Sequence, residues 1–142
     1  MKRKHLNVED LMSTAVISLK ETDTLGRAHL EMHVATIRHI PVVDDRNHVV
    51  GILSNRDLIG AIATRQDTGV PVAELMTRSV RTVRQGLPAH QAAEILLEEK
   101  IGSLLVVGDD EQLVGIVTET DFLSVAHKAL QGVLPRERGQ DA

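Results

Sequence analysis

The sequence predicts a mixed α/β fold of two pseudo-symmetric β-α-β-β-α copies packed through their sheets, and three observations predict it. At an offset of 64, "IRHIPVVDDRNHVVGILSNRD" (37–57) lies over "IGSLLVVGDDEQLVGIVTETD" (101–121) without a gap, and eight of the 21 positions are identical. The register also holds upstream, where "VEDLMS" (8–13) meets "VAELMT" (72–77). Within each copy, β-branched runs alternate with segments whose apolar residues recur at helical spacing.

The elements follow in order. "VEDLM" is a short helical turn, and "AVISL" (15–19) is a short strand. "TDTLGRAHLEMHVA" (22–35) opens with capping candidates and spaces Leu25, Ala28 and Met32 as one helical face. "IRHIPVV" and "HVVGIL" are strands joined by the turn "DDRNH", a hairpin signal. "NRDLIGAIATR" (55–65) puts Leu58, Ile59 and Ile62 on one helical face. The second copy repeats this with a strand at 80–83, a helix at 88–100, strands at 102–107 and 113–117, and a helix from about 119 to 131. The expected organisation is a tail (1–7), copy one (8–65), a linker (66–71), copy two (72–131) and a second tail (132–142). A unit of about sixty residues buries too little surface to be comfortable alone, and two copies can share their apolar faces.

Composition narrows the function. The 142 residues contain no cysteine, which excludes disulfides and thiolate chemistry. No apolar run approaches the roughly eighteen residues of a membrane span, and no apolar segment follows the basic start, so a cytoplasmic location is expected. Residues 1–71 carry nine Lys/Arg and nine Asp/Glu, and residues 72–142 carry seven and eleven, so the net −4 comes from the second half. With Phe122 the sole aromatic and no basic excess, a nucleic-acid partner is disfavoured.

"GILSNRD" (51–57) and "GIVTETD" (115–121) are the residues that carry chemistry. Each ends a strand and opens a helix, where unpaired N–H groups favour negative charge. Ser54 with Asp57, and Thr118 with Asp121, match a capping box, which is one sufficient reading. The same geometry also suits a nucleotide: backbone donors and a hydroxyl for phosphate, and a carboxylate for the ribose diol. Gly51 and Gly115 admit the close approach of a ligand or of another backbone.

The doubled G-h-x-[S/T]-x-x-D motif, with "HIPVVD" before a hairpin, resembles a tandem pair of cystathionine-β-synthase (CBS) domains over about residues 8–130. The resemblance implies a cleft between the copies with two pseudo-symmetric sites for AMP, ADP, ATP or S-adenosylmethionine, and sometimes NAD or cyclic dinucleotides. It implies ribose contacts from Asp57 and Asp121, and phosphate or ribose contacts from Ser54 and Thr118. The adenine would lie against Thr14, Ala15 and Ile17, against Thr77, Ser79 and Val80, and against His39, Ile40 and Pro41. Copy one places Arg38, His39 and Arg56 near the expected phosphate, whereas copy two offers Gly102 and Ser103 and an acidic Glu119, so anion affinity is expected to favour motif one.

The remaining constellations carry less. His29 and His33 lie one helical turn apart, but "HLEMH" is not a zinc-protease signature, and a contact surface is the expectation rather than a metal site. The repeat gives Asp57 and Asp121 similar environments, unlike a catalytic acid/base pair, and there is no Walker loop or nucleophile elbow, so no catalysis is expected. The sequence thus points to a stand-alone regulatory CBS pair that binds an adenosine-containing ligand, requires no catalytic cofactor and signals to a partner protein. It is expected to be a homodimer through helices 24–35 and 88–100. The alternative is an interaction or dimerisation module whose motifs are only capping boxes.

Overall fold

The computed structural model describes residues 5–132; residues 1–4 and 133–142, which belong to the two expected tails, lie outside the described residues. The first copy runs α1 (Val8–Leu11), α2 (Leu25–Ala35), β1 (His39–Val43), β2 (Val49–Ser54) and α3 (Asn55–Arg65). The second runs from a 3₁₀ turn (Val72–Glu74) through β3 (Thr82–Arg84), α4 (Ala89–Glu99), β4 (Ser103–Val107) and β5 (Leu113–Thr118) to α5 (Glu119–Gly132). Thr24 caps α2 by accepting the Arg27 N–H at 3.1 Å. The hairpins share one register: Pro41 faces Ile52 and Leu105 faces Ile116, and each ladder shifts at the corresponding Val42/Val43 and Val106/Val107 steps.

The strand expected at 15–19 shrinks to a single bridge from Leu19 to Val42, whereas its counterpart β3 pairs three residues with β4. A proline explains the difference. In copy two the Leu105 N–H donates to the Arg81 carbonyl at 3.4 Å and extends the pairing. Pro41 holds the matching position in β1 and has no N–H to give, so pairing stops at Leu19.

The leading segments of the copies cross over. Ser13 bridges Ile116 on β5, and Thr77 bridges Ile52 on β2. Val8 is therefore buried in the core of the second copy, while Val72 and Met76 are buried in that of the first. Gly51 and Gly115 are where the crossing chains touch the sheets. A Cβ on Gly51 would lie 2.6 Å from Met76 Sδ and 3.1 Å from the Thr77 carbonyl oxygen. One on Gly115 would lie 2.8 Å from Met12 Cγ and 3.0 Å from the Ser13 carbonyl oxygen. Of the two purposes open to these glycines, approach of another backbone is the one realised. His48 bridges Gln112, its own repeat counterpart, which puts this pair on the pseudo-twofold axis.

Three apolar clusters result. One lies under α2 and α3 (Leu25, Ile40, Leu58), and one under α4 and α5 (Leu96, Leu104, Val117). The third joins the halves through Val43, Leu105 and Leu113, flanked by Val16, Val49, Val80 and Ile116 from both copies. Leu58 and Ile62 face the core as expected, but Ile59 does not and is 51% exposed.

Candidate functional site

The two strand-to-helix junctions share a backbone path but differ in their hydrogen bonds. At motif one the Ser54 hydroxyl accepts the Asp57 N–H at 3.1 Å, and the Asp57 carboxylate makes no hydrogen bond among the described residues. At motif two the box is complete. The Asp121 carboxylate accepts the Thr118 N–H at 2.8 Å and its hydroxyl at 3.3 Å, and the Thr118 hydroxyl accepts the Asp121 N–H at 3.4 Å. The capping reading therefore accounts fully for motif two and by half for motif one.

A cavity of about 770 Å³ opens where the crossing chain meets motif two. Its walls are residues 13 and 15–17 and residues 35–39 with Pro41 from copy one, and Gly102, Ile116 and residues 118–121 from copy two. Crossover is what brings them together: Ser13 bonded to Ile116 lays the following residues beside Thr118 and Asp121. Alternation along β1 turns His39 and Pro41 to the cavity and Ile40 into the first core.

Of the residues expected from sequence, Ala15, Ile17, Arg38, His39, Pro41, Thr118 and Asp121 line this cavity together. Thr14 is exposed outside the lining, and Ile40 is fully buried, so its side chain offers no ligand surface. Ser54, Arg56, Asp57, Thr77, Ser79 and Val80 fall on the pseudo-symmetric side, where Thr77 bonds to Ile52 on β2. Arg38 and His39 share the cavity with Thr118 and Asp121 and also adjoin motif one, where the Asn55 N–H donates to the Arg38 carbonyl at 2.7 Å and His39 pairs with Ser54, whereas Arg56 is outside the cavity's lining. The cavity walls also include Ala35 and Thr36, which have no motif to mark them in the sequence.

The electrostatics of the cavity are mixed. Burial holds the His39 imidazole below its ordinary value, and the Arg38 guanidinium lowers it further, while Asp57 and Glu119 pull it upward. At Gly102 a Cβ would have Glu119 and the His39 ring at 4.0 Å, so the smallest residue leaves space between the imidazole and the carboxylate. The lining thus combines cationic and neutral donors, a hydroxyl with carboxylates, and the apolar Ile17 and Ala35. Among the described residues no group of three or more acidic or histidine side chains could hold a metal ion, and His29 and His33 are exposed on α2. No helix among the described residues is long and apolar enough to cross a membrane.

Comparison with known proteins matches the two-copy fold. The CBS domain profile fits the chain twice, at residues 8–64 and 72–128. The chain belongs to the CBS-domain family. This CBS pair is similar to the solved CBS domain pair of protein MJ0100 in complex with 5′-methylthioadenosine and S-adenosyl-L-methionine. It is 27% identical, with a TM-score of 0.80 over 89% of this chain and 99% of that one. CBSX2, solved in complex with AMP, is 28% identical, with a TM-score of 0.77 over 87% of this chain and 98% of that one. Over 118 residues the pair is 31% identical to a homoserine O-acetyltransferase of Methanohalobium evestigatum; this covers 83% of the chain but only 24% of that enzyme.

Proposed function

We propose that this CBS pair is a regulatory, non-catalytic module that binds an adenosine-containing ligand between its copies and passes its occupancy to a partner protein. The observation that carries the reading is the single cavity uniting Arg38 and His39, the apolar Ile17 and Ala35, and Thr118 with Asp121. These supply an anion-binding end, a flat apolar wall for a base, and a hydroxyl with a carboxylate for a ribose diol. The volume of about 770 Å³ is in the range of small-molecule sites. Relatives of 27–28% identity solved with AMP, or with S-adenosylmethionine and methylthioadenosine, support the adenosine class.

Signalling needs the ligand to favour one arrangement of the copies or of an assembly, since equal affinity shifts nothing. The assembly we propose is a homodimer through the outer helices, where Leu30 (61%) and Val34 (73%) on α2, and Leu97 (77%) and Leu123 (69%) on α4 and α5, lie exposed.

A second reading rests on the completed box at motif two, where Asp121 is already satisfied by Thr118. Under it the chain is an interaction module that needs no nucleotide. Thermal denaturation with AMP, ADP, ATP and S-adenosylmethionine separates the two. At a hundredfold excess over Kd a bound ligand stabilises the fold by about 2.7 kcal/mol. The interaction module shows no shift with any of them.

A further inference from the structure

We infer that the two pseudo-symmetric clefts are not equivalent: the ion pair of Arg81 and Glu99 closes the one beside Ser54 and Asp57 to a purine, so each chain holds one adenosine-containing ligand, beside Thr118 and Asp121. This rests on the adenosine reading above and adds to it which cleft is used and what shuts the other.

The repeat offset aligns Ile17 with Arg81 and Ala35 with Glu99. Ile17 and Ala35 are both apolar parts of the cavity wall beside motif two. At the matching places beside motif one, the Arg81 guanidinium and the Glu99 carboxylate meet at 3.1 Å. The surface offered to a base in one cleft is thus replaced by a charged bridge in the other. With both side chains nearly half exposed, the bridge itself is a weak contact. Its effect is on the incoming ring, which would have to strip water from two charges and would find no apolar wall behind them.

The backbone gives a second, independent difference. The Arg81 carbonyl accepts the Leu105 N–H at 3.4 Å. Pro41 stands in the place of Leu105 and has no N–H, so the Ile17 carbonyl has no donor among the described residues. Ile17 and Pro41 both line the cavity beside motif two, which leaves that carbonyl able to accept from the exocyclic amine of an adenine. The equivalent acceptor in the other cleft is occupied.

Equilibrium dialysis of AMP against the full chain counts the ligands. The expected stoichiometry is one per chain for wild type and two for Arg81→Ile/Glu99→Ala, with melting temperatures compared to establish that the variant is folded. On the otherwise wild-type chain, Asp57→Asn should not weaken the affinity, since it removes a negative charge beside His39, and Asp121→Asn should weaken it at least tenfold. Two AMP per wild-type chain overturns the inference, as does loss of binding in Asp57→Asn or a folded double variant that stays at one. A wild type that binds no AMP or S-adenosylmethionine instead overturns the adenosine reading itself, and is distinct from any of these stoichiometries.

Discussion

The carboxylate of Asp121 reaches back to the backbone N–H of Thr118 at 2.8 Å, and its repeat counterpart Asp57 has no such partner among the described residues. Both acids sit in the first turn of a helix and share whatever that position gives a negative charge. Only Asp121 adds the reciprocal hydrogen bonds of a capping box. Asp121→Ala is therefore expected to lower stability by about 1 kcal/mol more than Asp57→Ala, the scale of one lost cap. Urea denaturation of the two variants measures the difference, and equal losses would contradict it.

Gly51 is a contact point between the copies. An added methyl would overlap Met76 Sδ at 2.6 Å and press on the Thr77 carbonyl at 3.1 Å, and only the methionine can swing aside. Gly51→Ala is expected to cost about 1–3 kcal/mol, the range for overfilling a close-packed site. Met76→Ala in the same chain should recover part of that loss, because the two changes share one space. A Gly51→Ala chain as stable as wild type would show that the crossing segment is not seated as described.

Much of this fold is legible in the sequence, and the parts that are not have identifiable causes. The hairpins follow from β-branched runs around short polar turns, and α2 and α3 follow from Thr24 and Ser54 placed before apolar residues at helical spacing. The missing strand at 15–19 turns on Pro41, whose absent N–H matters only once the segment ending at Leu19 is known to run beside β1. The crossover is hidden by the repeat itself. Met12 and Met76 are equivalent, as are Gly51 and Gly115, so a copy packed on itself and a copy packed on its twin have the same pattern. That ambiguity is why the hydroxyl and carboxylate of each motif are easily found, while the copy that supplies the walls facing them is not.

His39 makes the site sensitive to pH. Burial, and then Arg38, hold the folded-state value below the usual 6.5, with Asp57 and Glu119 opposing, so the unfolded chain takes up the proton more readily. Its contribution to stability is complete above about pH 6.5 and is lost as pH falls through the lowered folded value. A phosphorylated ligand favours protonated His39, so AMP should bind more tightly as pH falls below 6.5. The ligand's own phosphate titrates equally against wild type and His39→Gln, so the difference between their affinity profiles isolates the imidazole. Superimposable profiles would remove His39 from the anion-binding end.

The exposed leucines and valine of the outer helices test the assembly. If α2 and α4 meet their mates in a dimer, Val34→Asp or Leu97→Asp should shift light scattering from dimer to monomer at tens of micromolar. Both residues are more than 70% exposed within one chain, so neither change should reduce the stability of the isolated fold by more than about 0.5 kcal/mol. A wild type that is monomeric at this concentration contradicts the dimer directly.

The central claim is that the cavity between residues 15–17, Arg38, His39 and the Thr118/Asp121 junction is an adenosine site. Isothermal titration of AMP and of S-adenosylmethionine into wild type and Asp121→Asn tests it most directly. Saturable binding of at least one compound is predicted, weakened ten- to a hundredfold in Asp121→Asn, which corresponds to one or two charge-assisted hydrogen bonds to the ribose. The contradicting result is a folded wild type that takes up neither compound, or one whose affinity is the same with asparagine at position 121.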